Sequence, residues 1–334
     1  MDATNHQIRL AARPTGEPAP SDWAFTDEPA PTPEDGQLLV RITHLSLDPA
    51  MRAWLDDRPS YIPPVGLNEV MRALAAGEVV ESKHPNFAAG DHVTGVFGVQ
   101  EYALSDGRGV QIVDPSAVPL TTYLSALGLT GMTAYFGLFD VGALKEGETV
   151  LVSGAAGAVG SMVGQLAKIK GCTVIGIAGG PDKCATLTEE LGFDAAVDYR
   201  AGSLSRALRE KAPDGVDVFF DNVGGEVLDA GLGRLSRGAR VVICGAISQY
   251  NSGQPYGPKN YLSLLVNRAR MEGFVVFDYA SRYAEAGAEI AGWLRAGRLR
   301  SKEHVVTGSV ADFPATLLKL FHGENLGKLV LQIA

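Results

Sequence analysis

The segment Thr149 to Gln165 reads TVLVSGAAGAVGSMVGQ: a short apolar run, a knot of glycines and alanines, then helix-forming residues. From Ala155 the knot has the spacing A-x-G-x-x-G, with Ala155 in place of the first glycine and Gly157 and Gly160 in the second and third positions. Missing side chains let a backbone approach a pyrophosphate, and the free N–H groups at the following helix start attract its negative charge. Alone the triplet is weak; it needs a strand before it, a helix after it and another strand beyond. TVLVS, AVGSMVGQLAKIK and TVIGIA supply that context. The competing reading is a tight strand-to-helix packing turn without a ligand.

The end of the second strand separates NAD from NADP. An acidic residue about 20 positions on would hold a ribose 2′-hydroxyl, but here the strand runs into Ala178-Gly179-Gly180. Pro181-Asp182-Lys183 then places a cation on the first helical turn, where it can meet a 2′-phosphate. NADPH is therefore the expected cofactor, with a solvated surface lysine as the alternative for Lys183. Asp182 fits either reading, because first-turn carboxylates serve the helix dipole.

Metal chemistry is not expected. Catalytic zinc needs converging His, Cys, Asp or Glu ligands, and structural zinc usually shows closely spaced cysteines. Cys172, Cys184 and Cys244 form no CxxC pair, and His44, His84 and His92 have no cysteine near them. An odd, unpaired set of three suits a reducing compartment, and all three are expected to be buried thiols.

The elements that must position these residues are of two kinds. From about Gly36 to Val113, short strand-like runs broken by turns (QLLVRITHLSL, GEVVESKH, GDHVTGVFG, EYALSD) predict a small β-rich barrel. After Tyr123 strand and helix alternate. TVLVS, TVIGIA, AAVDY, GVDVFFD, ARVVICG and MEGFVVF are six strands, and helical crossovers between them make a doubly wound parallel sheet. Pro181 suits the first turn of a helix through PDKCATLTEEL, and Gly192 its end. The tail DFPATLLKLFHGENLGKLVLQIA reads as a helix and a last strand returning to the first domain. The expectation is an α/β protein with residues 1–123 and 300–334 in one domain and 124–299 in the other.

At 334 residues, two domains are the default. A formal net charge of -9 argues against nucleic acid or an anionic membrane as partner. Neither a signal-peptide core nor a run of membrane-spanning length is visible, so a cytoplasmic protein is expected.

The strings SLDPAMR, GLTGMTAYFGL, GAAGAVGSMVGQLAKIKGC, DNVGGEVLD, CGAISQYN, MEGFVVFDY and GENLGKLVL together resemble the zinc-free medium-chain dehydrogenase/reductases. Within them they resemble the branch of prostaglandin reductases, alkenal double-bond reductases and curcumin reductases. That resemblance implies a GroES-like barrel, a Rossmann domain, a homodimer, and NADPH-dependent reduction of the C=C bond of α,β-unsaturated aldehydes and ketones. It assigns the pyrophosphate to Gly157, Ala158, Val159 and Gly160, and the 2′-phosphate to Lys183 and Tyr199. Asn222, the run Cys244, Gly245, Ala246, Ile247, Ser248 and Tyr250, then Phe274, Val275, Val276 and Asn325 match further positions that line the cofactor. The alternative for Asn222 is a turn residue, since Asn-x-Gly-Gly suits a strand-to-helix loop. Two departures stand out: Ala50 replaces an aromatic common in the family, and Val266 stands where some members have a tyrosine.

Conjugate reduction pushes negative charge onto a carbonyl oxygen, and a preorganised donor must hold it. Tyr250, after the VVICG strand, and Tyr61, on the Pro-stiffened SYIPPV loop, are the candidates. The alternative for each is packing. Competing functions are a quinone reductase of the zeta-crystallin type and a non-catalytic NADPH-binding protein.

Overall fold

Leu38, Val40 and Ile42 recur at every second residue, the period of a strand, and all three are buried in one apolar core. The computed structural model, which describes residues 3–254 and 256–334, builds two units on such patterns. One comprises the chain through Leu124 together with Glu303–Ala334, the other Ser125–Lys302.

The first unit begins with an antiparallel pair that the sequence reading did not include, β1 (Thr4–Leu10) and β2 (Trp23–Pro29). The strands β3 (Leu38–Ser46), β4 (Leu74–Ser82), β5 (His92–Val96), β6 (Tyr102–Ser105) and β7 (Gln111–Ile112) follow. The second unit carries β8 (Thr149–Val152), β9 (Thr173–Ala178), β10 (Ala195–Asp198), β11 (Val216–Asp221), β12 (Leu235–Ile243) and β13 (Arg270–Gly273). The chain then returns to the first unit with β14 (Glu303–Gly308) and β15 (Lys328–Ile333).

In the first unit β15 pairs antiparallel with β3, so the barrel-like sheet runs β14-β15-β3-β4-β5-β7 with β6 also on β3. Lys328 of β15 is fully buried there, its ammonium held by the Leu47 carbonyl and the Asp48 carboxylate. That pair fixes the Ser46–Asp48 corner.

In the second unit the six strands are all parallel in the order β10-β9-β8-β11-β12-β13. The helix Ala158–Ile169 follows β8, burying Met162, Val163, Leu166 and Ala167 at the helical period. Gly171, in the left-handed region, ends it.

Three local expectations need correction. The last strand stops at Gly273 instead of running through Phe274–Phe277, because Phe274 turns to meet Phe220 edge-on at 6.5 Å and Val276–Arg282 coils into a 3-10 turn. The helix opened by Pro181 is α-helical only through Ala185 and widens to a π turn over Thr186–Glu190. Of the three thiols only Cys172 is buried outright, while Cys184 and Cys244 are intermediate.

Candidate functional site

Strand order reverses between β8 and β11, and with every strand parallel all six carboxyl ends lie along one edge of the sheet. Ligands of doubly wound sheets bind at such a reversal, outside those ends. The segments leaving the ends are residues 153–160, 179–183, 199–200, 222–225, 244–250 and 274–276. All the sequence-selected residues of the second unit lie on them, whereas Tyr61 and Asn325 belong to the first unit.

After β8, Gly157 caps the helix with extended backbone and Ala158, Val159 and Gly160 form its first turn. An added Cβ at Gly160 would lie 2.4 Å from the Gly154 carbonyl oxygen, so no side chain fits where the helix start meets the turn. The left-handed residue that makes this turn is Gly154, one position before the motif's nominal start; Ala155 is fully buried. A backbone this bare, ending on open amides, is shaped to take a pyrophosphate.

Lys183 lies on the helix turn that leaves β9. Tyr199 and Arg200 leave β10 beside it: a Cβ at Gly179 would be 2.8 Å from Tyr199 Cε1 and 2.9 Å from Arg200 Nε. Arg200 stacks over the Tyr199 ring at 5.6 Å and donates from Nε to its hydroxyl. Burial first, and then the charge of Arg200, pull the Lys183 ammonium below the usual lysine range. The charge of Arg200 reaches Lys183, and positive charge gathered in this way attracts an anion such as a phosphate. Asp198 Oδ1 accepts the amides of Gly180 and Arg200 at 2.9 Å each, which holds its carboxyl below the ordinary range and keeps it ionised at this corner. Arg200 was not selected from the sequence; the cation directly after AAVDY was the signal.

At the reversal itself the buried Asp221 organises the two loops. Its carboxylate accepts Ser153 Oγ at 2.6 Å and the Gly224 amide at 2.9 Å. Burial still pushes that carboxyl up. Asn222 donates its side-chain amide to the Ser153 carbonyl at 2.7 Å and its backbone N–H to Ser153 Oγ at 2.8 Å, tying the end of β11 to the end of β8. The run after β12 is fastened along the same loop, with Cys244 N–H on the Asp221 carbonyl, Ile247 N–H on that of Asn222 and Ser248 N–H on that of Val223. Burial pushes the Cys244 thiol to about 12, so it is neutral and no nucleophile at ordinary pH.

Tyr250 ends this run, and its hydroxyl oxygen accepts the Ala246 N–H at 3.1 Å. A bond accepted in this way polarises the phenol and strengthens it as a donor. Gly245 leaves room for it, since a Cβ there would stand 3.0 Å from the Tyr250 hydroxyl. Phe274, Val275 and Val276 follow β13, with Phe274 packed on Phe220. In the first unit Tyr61 sits on an irregular loop, 51% exposed, and Asn325 is nearly buried, donating to the Gly327 carbonyl at 2.8 Å. A cavity of about 560 Å³ lined by Tyr135, Phe139, Lys170 and Glu289 lies near the amino ends of β8 and β9, away from all these segments. Among the described residues no group of three or more His, Cys, Asp or Glu could hold a metal ion.

Residues 6–113 match the family described as the N-terminal domain of oxidoreductase, and residues 158–292 the family described as zinc-binding dehydrogenase. The chain is 40% identical to the NADPH-dependent curcumin reductase of Escherichia coli, over 99% of this chain and 97% of that one. It is 38% identical to the 2-alkenal reductase (NADP(+)-dependent) of Nicotiana tabacum, over 100% and 98%. The solved structure of CurA in complex with NADPH from Vibrio vulnificus superposes with a TM-score of 0.93 at 43% identity, covering 98% of this chain and 99% of that one.

Proposed function

We propose, from the premise that the chain belongs to the NADP-dependent medium-chain dehydrogenase/reductase family, that it uses NADPH to reduce the C=C bond of α,β-unsaturated ketones and aldehydes. The glycine-bare turn at 157–160 and the paired cations Lys183 and Arg200 fit the dinucleotide and its 2′-phosphate. Tyr199, Asn222, the run 244–250, Phe274 to Val276 and Asn325 complete the proposed cofactor set. When bound, NADPH supplies the hydride that adds to the β-carbon of the substrate. The observation that carries the reading of the chemistry is the Tyr250 phenol, set at the carboxyl edge of the sheet by the Ala246 amide.

Reduction leaves an enolate, and the Tyr250 hydroxyl donates to the oxygen on which that charge develops. Tyr61 is the corresponding candidate from the first unit. The neutral Cys244 thiol adds no negative charge beside this developing anion. The proton for the α-carbon comes from solvent.

The test is an acceptor panel read by NADPH oxidation and product analysis. A 2-alkenal and an enone should be consumed with the C=C bond saturated and the C=O bond intact, and faster with NADPH than with NADH. Turnover of a benzoquinone alone, or of no acceptor at all, would overturn the reading.

A homodimer belongs to the same proposal. Strand β13 lies at the sheet edge with β12 as its neighbour. Leu265 and Val266, in the helix before it, are 75% and 65% exposed, and Met271 of the strand itself is 39% exposed. An unpaired edge flanked by apolar side chains favours pairing with a second copy. Leu265→Glu with Val266→Glu is expected to yield a folded monomer by sedimentation velocity; a double variant that sediments as the wild type rules this surface out. A cytoplasmic location suits the three free thiols, which persist in reducing surroundings.

A further inference from the structure

The chain around Tyr250 is tied down on both sides. Upstream, Ser248 N–H and Oγ both donate to the Val223 carbonyl, the latter at 2.6 Å. Downstream, the Tyr256 amide donates to Gln249 Oε1 at 2.8 Å, closing a ring of chain that contains Tyr250. The ring is in turn held by one side chain of the helix Gly225–Leu232, Asp229, which is 7% exposed. Its Oδ1 accepts the amides of Lys259 at 2.7 Å and Asn260 at 2.9 Å, and its Oδ2 accepts the Tyr256 hydroxyl at 2.9 Å. Its own carbonyl takes the Asn260 side-chain amide at 2.9 Å.

Only a carboxylate offers acceptors alone on both oxygens, and here they serve two backbone donors and a phenol. The conformation it holds carries a cost, because Asn251 Oδ1 is buried with no hydrogen-bond partner among the described residues. A loop with that cost relaxes when its tether is cut. These hydrogen bonds of Asp229 run to Tyr256, Lys259 and Asn260, not to the turn at 157–160.

We propose that Asp229 is a positioning residue for the reduction, acting through Tyr256, Lys259 and Asn260 to set the ring that presents Tyr250. The proposal rests on the reading of Tyr250 as donor to the enolate oxygen. A displacement of the order of 1 Å at a catalytic group costs up to about a hundredfold in rate, so Asp229→Ala should lower kcat for an enone by about ten- to a hundredfold.

The experiment compares Asp229→Ala, Asp229→Asn, Tyr250→Phe and the double variant Asp229→Ala/Tyr250→Phe. NADPH affinity is read by fluorescence titration, kcat with an enone, and amide hydrogen exchange on the protein without NADPH. In Asp229→Ala, residues 244–261 should exchange faster, residues 157–170 as in the wild type, and NADPH affinity should hold. Asp229→Asn keeps the acceptor for both backbone amides and should recover most of kcat. The double variant should be no slower than Tyr250→Phe, because residues that act as a unit are not additive. Multiplied losses in the double variant, an exchange pattern unchanged over 244–261, or a matching loss of NADPH affinity would overturn the role of Asp229 and leave that of Tyr250 standing. A Tyr250→Phe enzyme at the wild-type rate would overturn the reading of Tyr250, and this inference with it. Should Asp229→Ala fail to fold, Tyr256→Phe, which removes the phenol that Asp229 Oδ2 accepts, takes its place: a loss confined to kcat with faster exchange over 244–261 would support the proposal, and wild-type kcat with wild-type exchange would count against it.

Discussion

Tyr250→Phe is expected to lower kcat for an enone about a hundredfold, which is about 2.7 kcal/mol of transition-state stabilisation. NADPH affinity should stay as in the wild type. The hydroxyl lost in this variant takes the Ala246 amide and is seated against Gly245, so it is preorganised and needs no search at the moment of reaction. The ring remains, and apolar packing is kept. What disappears is the donor for an oxygen that becomes strongly basic only as the hydride arrives. Binding of the ground-state ketone depends far less on that bond, so the loss falls on kcat with KM little changed. Steady-state kinetics with one enone, together with a fluorescence titration of NADPH, checks both halves. Equal rates for the variant and the wild type would remove Tyr250 from the chemistry and leave Tyr61 as the candidate donor.

The second large effect concerns the choice of cofactor. Lys183→Ala with Arg200→Ala should reduce the preference for NADPH over NADH by about a hundredfold or more, taking charge-assisted bonds at about 1.5–3 kcal/mol each and discounting for solvent screening. The NADH parameters should hardly move, since no other phosphate contact is altered. Burial and Arg200 keep the Lys183 ammonium below the usual lysine range, and a phosphate draws it back up. NADPH affinity of the wild type should therefore fall as pH rises through that depressed range and the ammonium loses its proton, and the double variant should lose this dependence. Comparing kcat/KM for both cofactors across alkaline pH is the measurement. A preference retained within about threefold, less than 1 kcal/mol, would show that the 2′-phosphate is held elsewhere.

The elements of the nucleotide-binding unit were legible because their signals are local. A short apolar strand, a glycine turn and a helix of period 3.6 lie within Thr149–Ile169, and the same succession of strand and helix recurs as far as β12. Legibility failed where a distant contact outweighs local propensity. FVVF has every mark of a strand, yet Phe274 leaves the sheet to meet Phe220 and the strand ends at Gly273. The pair β1 and β2 begins in a polar, turn-rich stretch whose core residues Ile8, Leu10 and Trp23 are spaced by that turn.

For the site the division is similar. Sequence alone marked a glycine-bare strand-to-helix turn at 157–160 and a cation after β9, because glycine and lysine are read by type and spacing. Only the tertiary structure brought Arg200 to that cation, put Asp221 under both loops of the sheet reversal, and turned Asp229 from one more helix carboxylate into the anchor of the Tyr250 ring. Each of these depends on partners far along the chain: Ser153 for Asp221, Gly179 for Arg200, and Tyr256 to Asn260 for Asp229. A side chain's chemistry is written in its type, but its hydrogen-bond partners and its distance from another charge exist only once the sheet has set which loops lie side by side.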